Sequence, residues 1–223
     1  MMICGLCYFL VHISRRMLYY GLALYTMLLI HIYEGEYNVR KDTAIHQKEI
    51  CGWIEVRLYR TQTTNLPFRF DETDERCLRL KAELRKLIVQ MIEQKNVTHF
   101  ISGMALGIDT YAAEMVLDLK TDFPFTTLEC ALPCETQAAK WSERYRNRYF
   151  EIVERCDKET MLQRHYSSDC MQKRNRYMVE NADFVLAVWD GSPSGTCMTV
   201  TYAHSLGKSV WTLDPNTLSV TIE

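Results

Sequence analysis

Two stretches of this chain share one grammar, and that grammar leaves few folds open. In the first, Thr98–Ser102 leads into the turn Gly103-Met104-Ala105-Leu106-Gly107, and Ile108–Glu114 opens a helix. In the second, Phe184–Trp189 leads through Asp190-Gly191-Ser192-Pro193-Ser194 into a helix starting at Gly195-Thr196. Each reads as an apolar strand, a turn of small residues, then a helix. Repeated along a chain, that unit builds a parallel sheet with a ligand crevice outside the carboxyl ends of its strands.

The segments around the two turns fit that plan. Cys77, Leu80, Leu84, Leu87, Ile88, Met91 and Ile92 recur at helical spacing, which predicts a helix from about Asp71 to Asn96. After the first turn the pattern predicts a helix to about Lys120, a strand at Thr126–Leu132 and a long helix at Gln137–Arg155. A short strand near Glu159–Leu162 and a helix at Ser168–Asn181 follow. The run Phe184–Trp189 is apolar throughout, as in a strand buried on both faces. A helix to Leu206, closed by Gly207, and a strand at Ser209–Leu213 complete the series. Alternating strands and helices predict an α/β, Rossmann-like, doubly wound and mainly parallel sheet with right-handed crossovers.

The first quarter of the chain does not belong to this pattern. Met17–Tyr33 carries no charge and follows Arg15-Arg16. Three readings stay open: a membrane anchor, an amphiphilic helix packed on the domain, or a stretch foreign to it through a wrong start or shifted frame. The last is favoured, because the run is short for a membrane span and places a cysteine-rich domain outside the cell. Glu34–Ile54 is polar and irregular and goes with the same stretch. The expected organisation is an atypical extension over residues 1–56 and a domain over 57–223. Nine cysteines, an odd count without zinc-ligand spacing, fit reduced thiols in a cytoplasmic protein and argue against a metal site. A membrane-anchored location is the alternative. The net charge of -2 gives no global attraction to nucleic acid.

The turns themselves carry the chemistry. Glycine allows a sharp turn and close approach of a ligand, and a helix amino end presents free N–H groups to an anion. The candidate ligand-binding residues are Ser102, Gly103, Gly107, Asp109 and Glu114 at the first loop. Gly191, Ser192, Ser194, Gly195 and Thr196 form the second. Arg174 and Asn175 fall between the loops in sequence and are placed at the crevice rim, facing phosphate. Any strand-to-helix turn favours Gly, Ser and Asp as turn formers and caps, so one loop alone says little. Two in one sheet favour a nucleotide-like ligand. Trp189 reads equally as a base-stacking residue or as core.

These stretches resemble the SLOG superfamily, which includes the DNA-processing protein DprA and the Lonely Guy cytokinin-activating enzymes. The resemblance is carried by Ile101–Asp109 with Ala112-Ala113-Glu114, by Arg174-Asn175-Arg176, and by Ser194-Gly195-Thr196. It is strongest to the YpsA-like family of bacterial proteins, through Leu66-Pro67-Phe68, Phe70-Asp71-Glu72, Pro133-Cys134 with Gln137 and Trp141, Cys170–Val179, and Ala187–Gly191. It spans about Arg60 to Leu213 and implies a Rossmann-like fold with a nucleotide-related ligand. The family opens with a strand and a Thr-Gly-His-Arg turn. Here Arg57-Leu58-Tyr59-Arg60 stands in that place, with leucine for glycine, so the first strand is expected to be missing or altered.

The expected function is binding or sensing of a nucleotide-derived molecule, ADP-ribose-like or NAD-like, with no metal and no catalytic residue. Two alternatives are carried. A Lonely Guy-type hydrolase of an N-glycosidic bond requires the glutamate of Pro-Gly-Gly-x-Gly-Thr-x-x-Glu, yet Gly195-Thr196 is followed by Cys197, Met198 and Thr199. Single-stranded DNA binding of the DprA type requires Arg144, Arg146, Arg148, Lys173, Arg174 and Arg176 in one groove, with Tyr145 or Tyr149 stacking on bases. The expected partners are a small ligand, single-stranded nucleic acid under the last alternative, and a second copy of the chain.

Overall fold

A computed structural model describes the backbone of residues 51–55, residues 66 and 68, and residues 71–223. The Met17–Tyr33 run and the Arg57–Arg60 turn lie outside the described residues. All described residues belong to one compact unit, Gln47–Glu223.

Seven strands form one sheet: β1 (Cys51–Glu55), β2 (His99–Ser102), β3 (Thr127–Leu132), β4 (Lys158–Met161), β5 (Phe184–Val188), β6 (Ser209–Leu213) and β7 (Val220–Ile222). Their order across the sheet is β4-β3-β2-β1-β5-β6-β7. All neighbours run parallel except β6 and β7. The intervening helices are α1 (Glu75–Lys95), α2 (Ile108–Leu119), α3 (Glu143–Arg155), α4 (Cys170–Glu180) and α5 (Gly195–Ser205). The doubly wound α/β architecture is thus the one the sequence predicts.

Two strands depart from expectation. Cys51–Glu55 overlaps the stretch read as part of the extension, yet β1 is the central strand, paired with β2 and β5. A parallel ladder is made by backbone groups, so an unusual sequence can fill it. The sheet does not lack its centre. β7 is too short to show a period and was not expected. The long helix expected from Gln137 begins at Glu143, because Thr136–Trp141 turns on itself through Ala139 N–H to Thr136 O and Trp141 N–H to Ala138 O.

Local signals explain the helix limits. The Asp74 carboxylate accepts the Arg76 N–H at the start of α1, and Asn96, in left-handed geometry, ends it. Side chains alternate across the strands. Phe100, Leu128, Leu186, Trp211 and Leu213 pack against α1, α2 and α3 on one face. Ile101, Ala131, Val185, Ala187 and Val210 pack against α4 and α5 on the other. The two helical layers lie on opposite faces of the sheet, as right-handed crossovers on either side of β1 require. Among the described residues no helix is long and apolar enough to cross a membrane.

Beneath α4 lies a buried carboxylate. Glu129 on β3 accepts from His99 Nε2 (3.1 Å), Lys158 Nζ (2.9 Å), Thr160 Oγ1 (2.6 Å) and the Tyr177 hydroxyl (2.7 Å). Burial opposes its ionisation, but the four donors overcome burial and hold its pKa down to about 2.

Candidate functional site

β2 and β5 flank β1, so both glycine loops leave the same carboxyl margin of the sheet. The strand order reverses at β1, which is where open α/β sheets place a ligand crevice. The geometry of the two loops differs.

The first loop closes on itself. Ser102 Oγ donates to the Asp109 carbonyl (3.0 Å) and accepts the Met104 N–H (3.2 Å). The Asp109 carboxylate, fully buried, accepts the Ala105 N–H (3.1 Å). Met104 adopts φ 55 in the buried turn, a left-handed geometry that a non-glycine residue keeps only where its surroundings enforce it. Ser102 and Asp109 thus shape the turn. The carbonyls of the loop face inward. Gln137 Nε2 donates to Gly103 O (3.3 Å) and Met104 O (2.8 Å), and the Gln137 oxygen is buried without a partner among the described residues.

Arg174 completes the closure. The sequence places it at the rim, but the residue is 1% exposed. Its guanidinium donates to Gly103 O and, through Nε, to Asn175 Oδ1 (2.8 Å). A methyl group at Gly103 would sit 2.5 Å from Arg174 Nη1. A side chain at 103 would therefore oblige the buried Arg174 guanidinium to shift.

Asn175 is buried as well, and it carries the contact onward. Its Nδ2 donates to Thr199 Oγ1 (3.1 Å), which donates to Gly195 O (3.1 Å). A relay Gly103–Arg174–Asn175–Thr199–Gly195 thus ties the two loops together. Thr199 escaped the sequence reading as a site residue. Its position one turn after Gly195, on the side of α5 that meets α4, is the signal that marks it.

The second loop is open. Gly191 is exposed at φ +83, with nothing within 4 Å of the place a methyl would take. The Asp190 carboxylate accepts the Ser192 N–H (3.0 Å). Burial opposes the Asp190 charge, and the Ser192 hydrogen bonds outweigh burial, so its pKa lies below the usual 3.8. Ser194 caps α5 by accepting the Cys197 N–H (3.2 Å). The N–H groups of Gly195 and Thr196 stand where a helix has no internal carbonyl for them. Trp189 turns its indole N–H to Ser192 O (2.7 Å) and so braces its own loop.

Glu114, in the second turn of α2, is engaged by a side chain of α3. It pairs with Arg148 (2.5 Å), which also pairs with Glu72 (2.5 Å). Burial works against the Arg148 charge, but the two carboxylates more than offset it and raise its pKa. Gly107, with φ 99, turns the chain into α2 without a side-chain cap. The six cations proposed for one groove are divided. Arg144, Arg146 and Arg148 lie on α3, and Lys173, Arg174 and Arg176 on α4, across the sheet.

The arrangement provides one unusual electrostatic feature. Among the described residues no carboxylate pairs with Arg174. Burying a charge without a counter-charge is unfavourable by several kcal/mol or more, roughly, and the guanidinium here has two neutral oxygens, Gly103 O and Asn175 Oδ1, in place of a carboxylate. The first N–H groups of α5, at its partial positive end, belong to Gly195 and Thr196, which are themselves buried. Among the described residues there is no group of three or more His, Cys, Asp or Glu placed to hold a metal.

Comparison with known proteins agrees with this framework. The family model YpsA, the YspA SLOG family, matches residues 58–213. The SPbeta prophage-derived protein YoqJ of Bacillus subtilis (strain 168) is 36% identical over 153 residues, covering 62% of this chain and 90% of YoqJ. A UPF0398 protein of Bacillus pumilus is 32% identical over 126 residues, covering 55% of this chain and 67% of that protein. Among solved structures, DNA processing protein A (DprA) of Streptococcus pneumoniae matches with a TM-score of 0.50 at 14% identity. That match covers 77% of this chain but 53% of the DprA chain, and it shows a shared fold. The chain belongs to the YspA SLOG family.

Proposed function

We propose that this member of the YspA SLOG family binds a nucleotide-derived anion at the carboxyl margin of its sheet, with the phosphate at the amino end of α5. The observation that carries this reading is Arg174, a buried guanidinium that has no carboxylate partner among the described residues and that joins one glycine loop to the other. Gly191, Ser192, Ser194, Gly195 and Thr196 are the proposed contacts. Ser102, Gly103, Gly107, Asp109 and Asn175 are proposed to hold the site in shape, and Glu114 is assigned to the Arg148 pair.

Binding is favoured over hydrolysis. The position that would carry a glutamate in the Lonely Guy motif is Thr199, whose hydroxyl is engaged on both sides by Asn175 and Gly195. An oxocarbenium-like transition state would find no carboxylate there.

The test is thermal shift of the full chain against AMP, ADP, ADP-ribose and NAD. At least one should raise the Tm, and Arg174→Met should abolish that rise. An unchanged rise in Arg174→Met overturns the reading. If no nucleotide stabilises the protein but single-stranded DNA binds with a steep salt dependence, the DprA-type alternative takes its place.

A further inference from the structure

Two grooves flank α5, and both begin at the second glycine loop. Their chemistry is opposite. The groove between α5 and the β6–β7 edge has a volume of 460 Å³ and includes Asp190, Asp214 and Glu223, with His204 paired to Glu223. The groove between α4 and α5 has a volume of 390 Å³, and among the described residues that line it Arg176 is the one that carries a charge. Its long wall is formed by Met198, Thr201, Tyr202 and Ser205 of α5, and its upper end by Asn175 and Gly195.

Resting on the anion-binding reading above, we infer that the ligand's base lies in the α4–α5 groove, packed against Tyr202, Arg176 and Met198. Three observations converge on this. First, an anionic ligand anchored at α5 meets Asp190, Asp214 and Glu223 on one side, whereas on the other Arg176 faces it and Glu180 is held at the Tyr202 hydroxyl. Second, the groove is continuous with the anion site, because Gly195 and Asn175 belong to both. Third, its surface suits a flat ring. The Arg176 guanidinium lies 5.4 Å from the centre of the Tyr202 ring, a cation–π arrangement that extends as a stack when a base is added. The Tyr202 hydroxyl donates to Glu180 Oε1 (2.7 Å), which holds the ring in place. Met198, 57% exposed, offers a polarisable thioether to the edge of an aromatic ring. The other candidate for stacking, Trp189, is tied to its own loop and faces the acidic groove.

The inference separates two parts of the ligand, so the experiment uses two probes. Inorganic pyrophosphate reports the anion site alone, and ADP reports anion site and groove together. The full chain is labelled at its methionine methyl groups with carbon-13, and Met198→Leu identifies the Met198 signal. ADP should shift that signal through the ring current of its base, whereas pyrophosphate should leave it in place. Tyr202→Ala should weaken ADP about tenfold, the size expected for loss of one stacking contact, with pyrophosphate affinity unchanged. Tyr202→Phe, which keeps the ring, should bind ADP like the parent. ADP binding that neither moves the Met198 signal nor weakens in Tyr202→Ala overturns the groove assignment and leaves the anion site standing. Failure of both probes to bind overturns the anion site, and the groove assignment with it.

Discussion

The first glycine loop is sealed by Ser102 and Asp109 within it and by Arg174 from α4, whereas the second has open space beside Gly191. At Gly103 the space a side chain would need is filled by Arg174. At Gly191 that space is empty, and the constraint is the positive φ. The same residue type thus answers two demands, close packing against protein in one place and backbone geometry in the other. The lesson is that a glycine after a strand does not by itself mark a ligand contact. The neighbour that requires the glycine has to be identified first.

Substitutions can break or sharpen this contrast. The largest effect is expected from Gly103→Ala, where the added methyl meets Arg174 at 2.5 Å. Overpacking of a buried site of this kind destabilises by about 3 kcal/mol, read as a lower midpoint in urea. The next is the coupling between the two residues. In an Arg174→Met background the clash is relieved, so Gly103→Ala should cost about 2 kcal/mol less than in the parent. Additive losses in that cycle would mean that Arg174 is not what requires the glycine. Thr199→Val cuts the relay and leaves the buried Asn175 amide without its acceptor, for a loss of about 1–2 kcal/mol. It should also lower nucleotide affinity, since Gly195 is no longer tied to the first loop. Gly191→Ala meets open space and should lose only about 1 kcal/mol, from the left-handed backbone. If its stability loss matches that of Gly103→Ala, the distinction between sealed and open loops fails.

Glu129 supplies the control that touches neither loop. Its pKa is about 2 in the fold against an ordinary 4.5, so its contribution is complete above about pH 4.5 and is lost as the pH falls toward 2. Acid unfolding monitored by circular dichroism should show that slope, and Glu129→Gln should flatten it.

Much of this was legible in the sequence. Cys77 to Ile92 marked α1 because a single face of a long helix leaves a strong period. The buried run Phe184–Val188 marked β5, and the small residues marked both turns. What was not legible depended on distant contacts. Nothing local to Arg174 distinguishes a rim arginine from one inserted beneath Gly103, because the difference is made by a residue 71 positions away. Glu114 looked available beside the first loop, but Arg148 on α3 engages it. Cys51–Glu55 was assigned to the extension because a five-residue strand whose pairing is made by backbone groups leaves a weak side-chain signature.

That central position of β1 has a bearing on how the chain is made. One neighbour, β2, follows within about 50 residues, but the other, β5, is about 130 residues downstream. During synthesis the first strand therefore waits with an unpaired edge until most of the protein has left the ribosome. Contacts of such long sequence separation slow folding and expose edges to wrong pairing. This family member thus carries a built-in reliance on late closure, and chaperone demand during translation is where that reliance would surface.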